Sequence, residues 1–215
     1  MKINDKYMDL VDRKFKLFYC LYQTGLIRSY EDYKKWQVEG LIDAVLWGSH
    51  QPALIHLLNT IITGPVLEFG MGVHSTPMLH FICEQQGRRL ESFEFSDRWL
   101  RKFYKYRNKK HSMNLFEIEE VKNDFCNFLH KKYSIVFIDA HPAEMRQIVI
   151  DKMKGKVDYF IVHDTENVVL NKPCPYKYDF SSFKHVLHFK GVHPMTTILS
   201  DLEEININLL TIFNT

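Results

Sequence analysis

The stretch Val66-Leu67-Glu68-Phe69-Gly70-Met71-Gly72-Val73-His74-Ser75-Thr76-Pro77 constrains the fold more than any other part of the chain. A short apolar run ends in Gly-x-Gly, and Thr76-Pro77 then opens a helix in cap-then-proline order. This is a buried strand turning sharply into a helix. Glycines at such a turn let a ligand lie against bare peptide groups, with the helix N-terminus facing it. Ser75 stands where a dinucleotide-binding fingerprint carries its third glycine, and Glu68 places a negative charge just before the turn. A carboxylate there repels a pyrophosphate and attracts a ligand bearing an ammonium group.

Around this turn the chain divides into two parts. Met8, Val11, Phe15, Phe18 and Tyr22 recur at steps of three and four, the spacing of one helical face. A later helix is expected to open near Ser49 and Pro52, with Leu54, Leu57, Leu58 and Ile61 as its buried stripe. After Gly64-Pro65, β-branched or aromatic runs alternate with helical segments, the pattern of a parallel sheet flanked by helices. Strands are expected at Val66–Phe69, Leu90–Phe95, Leu115–Val121, Ser134–Asp139 and Tyr159–His163. Pro142 opens a helix whose Met145, Ile148, Val149 and Met153 share a face, and Gly155 closes it. His185–Phe189 and Thr196–Ser200 are too close for a helical crossover and should pair antiparallel. Alternation of Ile205, Ile207 and Leu209 suits a further edge strand, though Asp201–Asn208 could equally start a helix. The reading is an N-terminal helical extension over 1–62 and an α/β Rossmann-like core over 63–215. That core has a mostly parallel sheet, helices on both faces and an antiparallel strand pair near the C-terminus. At 215 residues the whole fits one structural domain.

Glu94 ends the second strand, 22 positions beyond Gly72. An acid at that distance reaches the neighbouring strand end and can accept both ribose hydroxyls. The site therefore asks for a ribose and a cation and has no place for a phosphate, which S-adenosylmethionine satisfies. Residues 64–200 resemble the class I S-adenosylmethionine-dependent methyltransferases, whose first motif is an acid-x-Gly-x-Gly turn. The resemblance implies Glu68 near the methionine amine, Gly70 and Gly72 in the turn, and Glu94 on the ribose. It also implies an adenine contact from Asp124 within Lys122-Asn123-Asp124-Phe125. Ser75, Thr76 and Phe95 complete the expected cofactor contacts.

Two further apolar runs, Ile135-Val136-Phe137-Ile138 and Tyr159-Phe160-Ile161-Val162, end in Asp139-Ala140-His141 and His163-Asp164-Thr165-Glu166. Ligands of open α/β sheets bind beyond the carboxyl ends of strands, so these polar groups emerge where an acceptor would sit. Methyl transfer is an in-line displacement, and a hydroxyl acceptor must lose its proton. His141 or His163 suits the base, with Asp139 and Asp164 orienting the acceptor or the imidazole. Asp139, Asp164 and Glu166 also offer hard oxygen ligands for a divalent metal such as magnesium. The family's metal-using members place adjacent acids after the fifth strand, and here His163 takes the first of those positions. The order of residues after these two strands resembles the sugar and macrolide-sugar branch of the family, which implies a saccharide or glycan hydroxyl as acceptor. Tyr30, Tyr33, Trp36 and Trp47 in the extension are candidates for an apolar platform over it, and the extension as a whole for a lid or a homodimer surface.

Charge and cysteine content narrow the rest. A formal net charge of +2 offers no global field for nucleic acid or an anionic membrane. One local run does: Arg98, Arg101, Lys102, Lys105, Arg107, Lys109 and Lys110 are interleaved with Phe103, Tyr104 and Tyr106, which makes an RNA acceptor the main alternative. A second alternative is a module that binds the cofactor without turnover. Cys20, Cys83, Cys126 and Cys174 form no C-x-x-C pair, so neither a zinc knuckle nor a disulfide framework is expected. The N-terminal residues lack a signal-peptide pattern, and a cytoplasmic location, including a host cytoplasm, is the expectation.

Overall fold

The computed structural model describes residues 8–10, 13, 14, 16, 20, 48–123, 132–170, 177–189 and 194–202. Its elements run α1 Gln51–Thr60, β1 Val66–Phe69, α2 Thr76–Gln85, β2 Leu90–Glu94 and α3 Asp97–Leu100, which continues as a 3-10 helix over Arg101–Tyr106. β3 His111–Leu115, α4 Ile118–Asn123, β4 Tyr133–Ile138, α5 Glu144–Met153 and β5 Val157–His163 follow. The described chain closes with α6 Glu166–Val169, β6 His185–Phe189 and β7 Thr196–Ser200. The strands form one sheet in the order β3-β2-β1-β4-β5-β7-β6. β3, β2, β1, β4 and β5 are parallel, and β7 runs antiparallel between β5 and β6. This is the mostly parallel α/β architecture expected, with the closing antiparallel pair.

Alternation along β1 and its neighbours divides the core into two layers. Val66, Leu90, Ile135, Phe137 and Ile161 face α1 and α2, packing against Leu54, Leu58, Leu79 and Ile82. Leu67, Phe69, Val136, Ile138, Phe160 and Val162 face the other way, onto Met145, Val149 and Met153 of α5. A fully buried side chain of this size contributes about 1.5–3 kcal/mol, which fixes the register, since a one-residue slip would move every one of them to the opposite layer and undo the packing of both. α1, the last helix of the extension, thus belongs to the sheet's own core. Farther upstream, Met8 packs with Met71, Phe103 and Met113, and the Asp9 carboxylate meets Lys105 at 3.2 Å.

One expected strand is corrected. The apolar positions of Leu115–Val121 suggest a strand, but β3 is His111–Leu115 and α4 occupies Ile118–Asn123. β3 is an edge strand that buries only His111 and Met113, so it lacks the apolar signature of the central strands. The alternative strand or helix in the tail lies outside the described residues. No described helix is long and apolar enough to cross a membrane.

Candidate functional site

The chain leaves β1 toward β2 on one side and returns to β4 on the other, so the crevice beyond the ends of β1 and β4 is the topological switch point where α/β sheets bind ligands. The glycine turn lies there. Gly70 has φ +93, and a Cβ on it would stand 2.5 Å from the Ala140 backbone, so the end of β1 can pass the end of β4 only with glycine here. The three successive amides of the turn are all engaged by the protein itself. Gly70 N–H donates to Phe93 O at 2.9 Å, Met71 N–H to Glu94 Oε2 at 3.0 Å and Gly72 N–H to Thr76 Oγ1 at 3.1 Å.

Glu68 faces the α2 side of the sheet behind this turn and is fully buried. Its Oε1 accepts from Ser75 Oγ at 2.7 Å and Thr76 Oγ1 at 2.9 Å, and its Oε2 from Ser92 Oγ at 2.6 Å. Burial pushes its pKa up to about 7 against the opposing pull of these hydroxyls. The carboxylate expected at the methionine amine is therefore the clasp that ties the start of α2 and the middle of β2 to β1. Ser75 and Thr76, expected as cofactor contacts, are fully buried members of the same clasp. Ser92 also meets His111 Nε2 at 2.9 Å, and His111 Nδ1 meets His80 Nδ1 at 3.1 Å, a polar chain the sequence did not disclose.

Glu94 closes the crevice from β2. Besides Met71 N–H, its carboxylate accepts from Phe95 N–H at 2.9 Å and Ser96 N–H at 3.0 Å. Burial raises its pKa, while these amides and the nearby His141 pull it down. A carboxylate has about four lone-pair positions, so three amides leave it one acceptor position for a hydroxyl. Phe95 packs edge-on against Phe69 at the same lip, with ring centroids 5.5 Å apart. Trp99, a residue with no sequence signal for this role, clamps the turn by donating Nε1–H to Met71 O at 2.6 Å.

Across the crevice, the ends of β4 and β5 carry a tight charged cluster. Arg146 of α5 donates to Asp139 Oδ1 at 2.9 Å, to Asp164 Oδ2 at 3.0 Å and to the carbonyls of Ala140 and His163 at 2.8 Å each. Asp164 holds this position with φ +56, a left-handed conformation that aspartate tolerates better than most residues. His163 Nδ1 stands 3.3 Å from one oxygen of each aspartate. Its Nε2 meets Ser49 Oγ at 2.8 Å, and Ser49 donates its only hydroxyl proton to Pro194 O at 2.7 Å. Ser49 can then only accept from His163, so Nε2 carries a proton. Burial pushes the His163 pKa down, yet Asp139 and Asp164 bring it above the usual value. Burial likewise pushes Asp139 up, while His163 and Arg146 hold it below the carboxylate range.

Beside His163 lies His50, fully buried, its ring edge-on at 4.8 Å between centroids. Neither His50 nitrogen makes a hydrogen bond of good geometry among the described residues; burial and the neighbouring His163 hold its pKa well below the ordinary range, against a small upward pull from the His74 backbone. Among the described residues, the group of three metal-ligating side chains that converges, within 4.8 Å, is His50, Asp139 and His163. The expected oxygen set is not gathered in this way, because Glu166 is turned to the β7 approach and accepts from Met195 N–H at 3.0 Å. His141, by contrast, stands exposed just past β4, within electrostatic reach of Glu94. Asp124 and the aromatic residues Tyr30, Tyr33, Trp36 and Trp47 lie outside the described residues.

The basic run spans α3, the 3-10 helix and the loop over 107–110 that leads into β3, at the β3–β2 side of the sheet. Much of it is answered within the chain: Arg101 pairs with Asp97 at 2.7 Å, Lys105 with Asp9 at 3.2 Å, and Lys102 lies 4.2 Å over the Trp99 ring.

No protein-family model matches the chain, and no curated protein matches it in sequence. Solved structures do match its fold. A Klebsiella pneumoniae protein assigned as an O-methyltransferase superposes with a TM-score of 0.54 at 11% identity, over 93% of this chain and 91% of that one. Human methyltransferase-like protein 13 in complex with SAH gives 0.51 at 12% identity, over 78% and 89%. A Staphylococcus aureus protein assigned as a caffeoyl-CoA O-methyltransferase gives 0.51 at 13%, over 86% and 98%. The chain shares the Rossmann-like α/β fold of these proteins.

Proposed function

We propose that the protein is an S-adenosylmethionine-dependent methyltransferase that acts on a hydroxyl of a small acceptor, with a sugar or glycan as the favoured class. One observation carries the cofactor reading. The amides of residues 70, 71 and 72 are all spent on the protein's own acceptors, and two carboxylates flank them. A pyrophosphate needs free N–H donors at such a turn, whereas a sulfonium nucleoside needs none and gains from the negative field. Glu94 holds the ribose with its remaining acceptor position, and Glu68 braces the turn from behind without touching the cofactor.

The acceptor sits across the crevice against Asp139 and Asp164, whose side chains are 25% and 33% exposed and can accept from sugar hydroxyls. In the transfer, the acceptor oxygen attacks the methyl carbon in line with the departing sulfur, leaving a neutral thioether and one proton to remove. His141 takes that proton, since His163 is buried, is tied through Nε2 to Ser49 and turns Nδ1 inward between the two aspartates. Where a divalent cation takes part, Asp139 is the rim carboxylate that meets it, and the ion supplies Lewis-acid polarisation of the hydroxyl.

Calorimetry comparing S-adenosylmethionine with a pyrophosphate dinucleotide tests the cofactor. A screen of nucleotide sugars, glycans, phenols and short RNA with labelled cofactor tests the acceptor. His141→Ala should leave cofactor affinity intact and lower kcat by about 100- to 10,000-fold. Tighter binding of the dinucleotide overturns the reading, and labelled RNA in place of glycan moves it to the nucleic-acid alternative.

A further inference from the structure

We propose that His50, Asp139 and His163 form a binding site for a first-row transition-metal dication such as zinc, with Ser49 fixing the tautomer that His163 presents. Three features converge on it. The Ser49 proton goes to Pro194 O, so His163 Nε2–H must donate to Ser49, which leaves Nδ1 as the nitrogen a metal would take, in exchange for the proton it otherwise shares with the two aspartates. Nδ1 is the nitrogen that faces Asp139. A metal-bound histidine characteristically donates its other N–H to a fixed acceptor, which is the part Ser49 plays.

His50 supplies the second feature. The ring is fully buried and at most one of its nitrogens is answered, by the His74 backbone; the other, unpartnered, costs about 1–3 kcal/mol, which is hard to rationalise beside a carboxylate unless something occupies the space between them. The third feature is size. Atoms no more than 4.8 Å apart all lie within about 2.8 Å of a common point, so shifts of about 0.7 Å bring three donors to the ~2.1 Å of a metal bond. Two imidazoles and one carboxylate select zinc, iron or cobalt over magnesium, which prefers oxygen ligands and retains its water. Arg146 donates to the same Asp139 Oδ1 that lies 3.3 Å from His163 Nδ1 and so fixes the carboxylate, and the partly exposed face of the aspartate leaves its remaining lone pairs and further coordination positions open toward the crevice. Any service of this ion to methyl transfer rests on the function proposed above, whereas its binding does not.

The test uses the full chain stripped with a chelator and titrated with Co2+ alone by absorption spectroscopy, and with Mg2+ alone by calorimetry. One Co2+ per chain with visible d–d bands is expected, and no Mg2+ uptake at the same concentrations. Ser49→Ala should weaken Co2+ by about 10- to 100-fold through loss of the orienting acceptor. His50→Phe, which keeps the ring packing on Phe137, should abolish the bands, while His80→Ala at the other histidine pair should leave them unchanged. Wild-type Co2+ affinity in His50→Phe or Ser49→Ala, or Mg2+ binding as tight as Co2+, overturns the proposal. S-adenosylmethionine titrated into the same samples separates the two readings: cofactor binding without Co2+ sinks only the metal site, and Co2+ binding without cofactor sinks only the methyltransferase.

Discussion

Glu68 makes the protein's stability depend on pH in the direction opposite to most carboxylates. Its pKa rises from 4.5 to about 7 on folding, because burial disfavours the charge more than three hydroxyl donors favour it. A carboxylate with a raised folded pKa stabilises the fold most when protonated, and that contribution is lost as pH climbs from about 4.5 through about 7. The shift converts to about 3 kcal/mol at full ionisation. Other groups titrate in the same range: burial keeps His50 and His111 neutral, so both remove stability as pH falls below 6.5. The wild-type curve alone is therefore ambiguous, and the difference from Glu68→Gln isolates the contribution of this one carboxyl. The amide of that variant mimics the protonated acid in shape and charge. Urea unfolding of both proteins from pH 4 to pH 8 should show near-equal stability at pH 4, with the variant gaining about 3 kcal/mol on the wild type by pH 8. A flat difference, or a wild type that gains on the variant as pH rises, refutes the idea that burial dominates at Glu68.

Three other outcomes follow from the same geometry. Gly70→Ala meets a left-handed backbone and a backbone contact at 2.5 Å, and should lower unfolding free energy by about 3 kcal/mol or more, read from the urea midpoint. Arg146→Met leaves Asp139 and Asp164 facing each other across His163 without their shared cation, and should cost about 3–5 kcal/mol in the same assay. Glu94→Gln exchanges a charge-assisted acceptor of three amides for a neutral one, and should weaken S-adenosylmethionine by about 10- to 100-fold in calorimetry; unchanged affinity would remove Glu94 from the cofactor site.

The first strand, its glycine turn and the fourth and fifth strands could be read from sequence because they are buried on both faces: an uninterrupted apolar run stops abruptly at polar residues, and the stop marks the rim. The sixth and seventh strands were legible from a connection too short for a crossover. The third was not, because His-Ser-Met-Asn-Leu at the sheet edge has little apolar content, whereas the Ile118 to Val121 step of three belongs to a helix. The same limit applies to the site. Glu68 and Glu94 announce themselves by their distance from the glycines, but whether a carboxylate faces ligand or protein depends on which hydroxyls fold over it, and Ser92 lies 24 positions away from Glu68. His50 and Arg146 carry no motif at all, since only the packing of α1 and α5 against opposite faces of the sheet brings them to the β4–β5 rim.

The two sides of the crevice handle charge differently, and the difference suits the proposed chemistry. On the β1–β2 side, Glu94 is paired with three amides and has no cation in hydrogen-bond contact among the described residues, so its charge is left to attract a sulfonium. On the β4–β5 side, Arg146 and His163 already balance Asp139 and Asp164. Methyl transfer removes the positive charge from sulfur and releases a proton from the acceptor. With His141 as the base, that charge reappears on an imidazole that already lies within the field of Glu94, where it lowers the carboxyl's pKa. In the proposed reaction the positive charge would therefore move without leaving the field of Glu94, and the charge-balanced cluster opposite would be left to hold hydroxyl groups. A base placed beyond Arg146 would instead have to gain its proton beside a fixed guanidinium, at a cost of about 4 kcal/mol for unit charges some 4 Å apart in a partly solvated site.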